Sequence, residues 1–343
     1  MGWYPAVGRP LFFALPPEEA HRLAGAMLGL PLPWRRIGHT LEDPRLRVEL
    51  AGIPLRNPIG LAAGFDKTCR RLDALGELGF GYVVGGTITR APRSGNPEPR
   101  IVRYPTRGSM TNAMGLPNPG ADRAAASLAG ATHHSAPRLV SVADEALDDA
   151  LSAVRLLAPH ADAIELNASC PNVSWGRDRD NETHLRDLVG GIRAATGRPL
   201  FVKLPPFATG VERDVVLALA SIAQEAGAAG LTCSNTRPVG DARLSMGAGG
   251  VSGRALWDRT IAIVADIRAT TGGSMVINAC GGISTGEDVL ACLEAGATTV
   301  QVYSALIYEG PGIVGTLTRE LARALEERGT SVRALSGASE PAA

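Results

Sequence analysis

A (β/α)8 TIM barrel is the fold this sequence predicts, an α/β architecture preceded by an extension of two short amphipathic helices. Three observations carry the prediction. Eight short apolar runs, each the length of a buried strand, recur between residues 59 and 302. Helical patterns follow several of them. Amides, hydroxyls and glycines cluster just after the runs, where a barrel keeps the variable loops that carry function.

The strands are expected at residues 59–63, 82–86, 138–142, 163–166, 200–204, 230–233, 275–279 and 299–302. Helices are expected at 70–78, 144–157, 183–195, 211–226, 256–270, 286–295 and 312–327. Alternating strand and helix over so long a stretch fits a closed parallel barrel better than an open sheet. Residues 1–40 stand apart. Ala20, Leu23, Ala24, Met27 and Leu28 recur at helical spacing, opened by Pro16 and Pro17 and closed by Leu30-Pro31-Leu32-Pro33. The apolar run 10–15 before them is too short to span a bilayer. A barrel cap, a subunit contact and a membrane interface all fit this pattern. The resulting plan is a helical extension over 1–40, a barrel over 41–328 and a small, polar, flexible tail over 329–343.

Composition narrows the function. Hydrophobic residues make up 45% but aromatics only 4%, so the core must be aliphatic. The 34 basic and 34 acidic residues balance, which argues against a nucleic-acid partner. The five cysteines form no CxxC pair and no Cys/His cluster with ligand spacing, so no metal site is expected. Scattered, odd-numbered cysteines point to a reducing, intracellular compartment. No run reaches the ~18 apolar residues of a membrane span, and no signal peptide is visible. Only two of the basic residues are lysines, Lys67 and Lys203, and both follow strand candidates. A compact ammonium kept where arginine is otherwise the rule marks a place too tight for a guanidinium.

The sharpest stretch is Asn167-Ala168-Ser169-Cys170-Pro171-Asn172, directly after the fourth strand candidate. Asn167 and Asn172 offer donors and acceptors to a planar heterocycle, and Cys170 between them is the one group there able to remove a proton. Asn112 and Asn235 add further amides near strand ends. Glycine-rich turns at 249–253 and 280–284, with 302–305 after the last strand, leave bare amides for a phosphate. No G-x-G-x-x-G follows a strand, so FMN fits better than a nicotinamide cofactor. Lys203 would lie near its ring, where a positive charge stabilises the anionic reduced form.

These segments resemble the dihydroorotate dehydrogenase family, in its class 2, quinone-linked form, over nearly the whole chain. The stretch 57–67, Asn-Pro-Ile-Gly-Leu-Ala-Ala-Gly-Phe-Asp-Lys, is similar to the family's first strand and flavin loop. Gly95-Asn96-Pro97-Glu98-Pro99-Arg100, Asn112-Ala113-Met114-Gly115-Leu116, the stretch 167–172, Ser234-Asn235-Thr236, the glycines at 250–253, Gly281-Gly282 and Tyr303-Ser304 carry the rest. The resemblance implies FMN contacts at Ala63, Gly64, Phe65, Asp66, Lys67 and Thr87, at Ser141, Asn167, Lys203 and Ser234, and at Gly253, Gly282, Tyr303 and Ser304. It implies dihydroorotate or orotate contacts at Lys67, Asn112, Ala113, Met114, Gly115 and Leu116, and at Asn167, Asn172, Asn235 and Thr236. Cys170 stands at the base position, removing the C5 proton while the C6 hydride goes to FMN N5, a step of pyrimidine biosynthesis. The N-terminal helices would hold a quinone tunnel with His21, Arg103 and Tyr303, and would rest on the membrane surface. The implied location is the cytoplasmic side of a bacterial cell membrane, as a peripheral protein.

Three residues depart from that pattern. Cys170 replaces the class 2 serine and is what soluble class 1 enzymes carry, so fumarate or another soluble acceptor, or a modified dihydropyrimidine substrate, is the alternative. A thiol is a stronger acid than a hydroxyl, so activity is expected to persist to lower pH. Ser141 stands where the family has an FMN-contacting Asn. Arg237 stands where a second Thr follows Thr236, adding a cation near the rim.

Overall fold

The computed structural model describes residues 4–131, 134–143, 146–168 and 180–336. Ile59–Leu61, Tyr82–Ile88, Arg138–Val142, Ala163–Asn167, Leu200–Leu204, Gly230–Cys233, Val276–Cys280 and Thr299–Val302 form one closed barrel of eight strands. Each pairs in parallel with its neighbours in the chain, and the last closes on the first through Val300–Ile59 and Val302–Leu61. All eight coincide with the predicted runs. The second, third, fourth and fifth are buried at every residue, as strands covered on both faces must be.

The helices around the barrel are Leu72–Glu77, Ala121–Ala129, Leu147–Leu157, Asp180–Ala195, Gly210–Glu225, Trp257–Thr270, Gly286–Glu294 and Ile313–Glu327. Two start with reciprocal capping boxes, Thr209 with Glu212 and Thr285 with Asp288. Ala121–Ala129 was not expected from the sequence. Its inner face is Ala121, Ala124, Ala125 and Leu128, mostly alanine, so no run of large apolar residues marks it in the sequence.

The sequence also gives no sign of a second sheet. Arg237–Gly240, Ala248–Gly253, Ser109–Asn112 and Ile101–Tyr104 lie side by side in that order, all antiparallel. These strands come from the segments after the second and sixth barrel strands. The sheet therefore belongs to the end of the barrel where strands finish and functional loops begin.

The extension forms a π-helical turn, Tyr4–Gly8, and two helices, Arg9–Ala14 and Pro17–Met27. The expected apolar face is only partly inward: Ala20 is buried but Leu23 is 45% exposed. The buried anchor is instead Glu18, whose carboxylate accepts the Arg100 amide at 2.7 Å. At the far end, the region read as a flexible tail begins with a helix, Val332–Ser336, whose Val332 is fully buried.

Candidate active site

Three hydroxyl and amide groups line up across adjacent strand ends. Asn167 donates from Nδ2 to Thr87 Oγ1 at 3.2 Å, and Thr87 Oγ1 lies 3.0 Å from Ser141 Oγ. All three are buried. The short Ser141 side chain is thus taken up by Thr87 inside this row. Asn167 is in register with Lys203 on the next strand, and Lys203 with Thr232 on the one after. Burial pulls the Lys203 ammonium down, but the facing Cys280 and Glu165 outweigh it and hold it above the ordinary lysine value.

The loop after the first strand is fastened to the second. Gly64 N donates to Gly86 O at 2.7 Å, and Gly86 N returns a bond to Asp66 O at 2.9 Å. The Asp66 carboxylate turns back on its own loop, accepting from Thr68 N and Oγ1 and from Arg71 N. Lys67, between them, donates to Gly64 O. Burial, then repulsion from Arg100, pushes the Lys67 ammonium down to about 8, against the pull of Asp66. Ala63 and Phe65 stand on the same loop, and Tyr303, after the eighth strand, approaches Gly64 O with its hydroxyl at 3.5 Å.

The late turns gather opposite. Ser304 opens the helix Ser304–Glu309 with no side-chain cap, and its hydroxyl bonds Ser252 Oγ at 3.1 Å. Gly282 has φ +75° and Gly253 φ +82°, conformations in which a side chain is strained. Ser234, after the sixth strand, is held by its amide on Cys280 O at 2.9 Å.

Asn112 ends its sheet strand, and Nδ2 reaches Gly250 O at 3.5 Å. A β-carbon on Gly250 would collide with the Thr236 side chain, so glycine there lets Thr236 pack close to Asn112. Thr236 N in turn donates to Asn235 Oδ1 at 2.7 Å. The segment Ala113, Met114, Gly115 and Leu116 is clamped by the preceding loop, Ala113 N to Arg100 O and Asn96 N to Met114 O. Arg237 does not join this group. It is in register with Val251, and Val251 with Thr111, so its side chain shares the face of Thr111. Asn112, one residue on, points to the other face. The cation expected at the rim is therefore turned away from the amides.

His21, Phe65 and Tyr303 form a ladder of rings, with centroids 5.4 Å and 5.8 Å apart. Burial, then Lys67, lowers His21 to about 4, so its imidazole is neutral at ordinary pH. Arg103 also ties the extension down. Its guanidinium donates to Phe12 O at 3.1 Å and to Leu15 O, and stacks 4.5 Å from the Phe13 ring. It fastens the first helix to the sheet. Neither that role nor Glu18 was predicted; a glutamate in an amphipathic helix reads as solvated unless the buried amide it will accept is known. Cys170 and Asn172 lie outside the described residues.

The chain is similar to known proteins over almost its full length. A family profile described as dihydroorotate dehydrogenase matches residues 45–325. Curated proteins named dihydroorotate dehydrogenase (quinone) from Erythrobacter litoralis and Thermus thermophilus are 39% and 36% identical. They align over 94% and 93% of this chain and 95% and 96% of their own. Among solved structures, ligand-free DHODH from Eimeria tenella superposes with a TM-score of 0.82 at 30% identity, covering 95% of this chain and 100% of that one. The same protein in complex with ferulenol gives a TM-score of 0.81 at 29% identity, covering 93% of this chain and 94% of that one. With its barrel and nearly its whole length matched, the chain belongs to the dihydroorotate dehydrogenase family, in the branch whose curated members are named for a quinone acceptor.

Proposed function

We propose that this oxidoreductase uses FMN to oxidise (S)-dihydroorotate to orotate in pyrimidine biosynthesis and passes the electrons to a membrane quinone. The observation that carries the reading is the row Asn167–Thr87–Ser141 abreast of a buried, charged Lys203 at the strand ends. These residues fit FMN. Lys203 is buried, and a buried cation suits an anionic ring. Gly253 and Gly282, at positive φ on late turns, and Ser304, at the start of a helix, suit the phosphate.

Bound FMN supplies a hydride acceptor at N5. The chain supplies the rest. Asn112, Asn167, Asn235 and Thr236, with Asn172, present donors and acceptors to the edges of a flat pyrimidine, and Lys67 meets its carboxylate. Ala113, Met114, Gly115 and Leu116 line the pocket behind Asn112. Cys170 takes the C5 proton, and its thiol acidity suits that role near neutral pH. His21, Phe65 and Tyr303 give the quinone an apolar passage with a neutral imidazole, which can donate and accept without a charge to desolvate.

Membrane contact belongs to the same reading. Val7, Leu11, Leu23, Leu30 and Leu32 are all exposed, between 38% and 67%, and all lie in the extension. No helix among the described residues is long and apolar enough to cross a bilayer, so the contact would be peripheral, on the cytoplasmic side of the cell membrane.

Stopped-flow absorbance tests the proposal. Dihydroorotate should bleach the flavin of the purified protein rapidly, and a short-chain quinone should restore the colour faster than fumarate does. Restoration by fumarate alone would make the acceptor soluble, as the class 1-like Cys170 suggests. No bleaching would mean a different substrate.

A further inference from the structure

Deep in the barrel lies a carboxylate with no place in the chemistry above. Glu165 is fully buried in the middle of the fourth strand. Oε2 accepts from Thr232 at 2.9 Å and from Gln301 Nε2 at 3.2 Å, which reach it from the sixth and eighth strands, so the side chain points into the barrel. Oε1 has no hydrogen-bond partner among the described residues. Thr232, its donor, is directly abreast of Lys203 in the ladder and is bonded by Asn278 in turn. A buried carboxylate is costly unless a cation answers it. On the neighbouring fifth strand Glu165 is abreast of Phe201, and Lys203, two residues further on, is the cation on that strand.

We propose that Glu165 is a positioning residue for the flavin site, a buried counter-charge that keeps the Lys203 ammonium protonated and fixed in place. The proposal rests on the reading that Lys203 serves FMN. The other titratable groups facing this floor are Cys280 on the seventh strand, Tyr82 on the second and Cys233 beside Cys280. Burial raises all three, so the thiols and the phenol stay neutral at ordinary pH. Two groups oppose the desolvation of Lys203, Cys280 and then Glu165, and of these only Glu165 is a carboxylate.

The two-lysine composition makes this directly measurable. Lysine labelled with 13C at Cε gives two signals, assigned with Lys67→Arg, and each is titrated in the FMN-loaded protein. In the wild type, Lys203 should titrate above the ordinary value of about 10.4. In Glu165→Gln, which keeps an oxygen for Thr232 and Gln301 but loses the charge, its midpoint should fall by at least about one unit, a tenfold loss of proton affinity. An unchanged Lys203 midpoint in Glu165→Gln overturns the proposal. If that variant does not fold, the wild type decides, since a Lys203 titrating below the ordinary value overturns it as well. The underlying flavin reading fails separately: adding FMN to apoprotein would then leave the Lys203 signal unmoved.

Discussion

Lys67 is the residue at which pH should be felt first. Its ammonium is depressed to about 8 by burial and by Arg100, so it is charged below that pH and loses its proton above it. If it meets the orotate carboxylate, orotate binding weakens as pH rises through 8, by up to about tenfold per unit. Titrating the flavin spectrum with orotate between pH 6.5 and 9.5 reads this directly. Lys67→Arg should remove the pH limb, because a guanidinium stays charged, while weakening binding at pH 7 through poorer fit. An affinity flat across that range would take Lys67 out of the carboxylate site. Lys203 behaves oppositely, although both lysines are encased. At Lys67 repulsion from Arg100 outweighs the pull of Asp66, whereas Lys203 faces Cys280 and Glu165, a difference of neighbours that the two sequence positions do not reveal.

At the scale of elements, the extension is held by few bonds, which makes it separable. Glu18 on Arg100 N and Arg103 on the carbonyls of Phe12 and Leu15 join it to the antiparallel sheet. Glu18→Ala leaves the Arg100 amide unsatisfied and should cost about 1–3 kcal/mol of docking. The expected phenotype is selective: dihydroorotate still bleaches the flavin, quinone reoxidation slows, and trypsin cuts sooner at Arg22. His21 adds a pH dependence of known sign. Docked, it is depressed to about 4; released, it returns to about 6.5. The released form therefore binds more protons between those values, so docking is strongest above pH 6.5 and weakens as pH falls toward 4, by at most about 3 kcal/mol. Trypsin nicking of Glu18→Ala, corrected for the protease's own activity, should thus be faster at pH 5.5 than at 7.5. Equal quinone rates in variant and wild type would leave the extension with no part in electron transfer.

Over the whole molecule, what could be read in the sequence follows from how each part is stabilised. The barrel strands are legible because both faces are buried and most of their residues are apolar or small, and the loop at 64–67 because its residues act by type. The antiparallel sheet is not legible: its strands are short and rich in Gly, Ser and Asn, and they gain order from one another and from the extension. The inward placement of Glu18 and the turn of Arg237 toward the Thr111 face depend on that sheet's register, which no local pattern encodes. Docking against the sheet also decides which apolar side chains of the extension remain outside, and this yields the last prediction. Leu11 at 67% and Val7 at 56% exposure stand on the first turn and helix, Leu23 at 45% on the second helix, and Leu30 and Leu32 beyond it. Arg9, Arg22, Arg35 and Arg36 lie among them in sequence, a mixture suited to the boundary between headgroups and acyl chains. In a sedimentation assay the protein should bind vesicles containing anionic lipid. Leu11→Glu with Leu23→Glu should release it, because each change removes an exposed leucine worth up to about 2 kcal/mol on burial and adds a repelled charge. Quinone dissolved in detergent should still be reduced by the double variant, since neither leucine belongs to the ring ladder; only quinone held in vesicles should become inaccessible. Equal loss with both forms of quinone would place these leucines in the passage itself rather than on the membrane face.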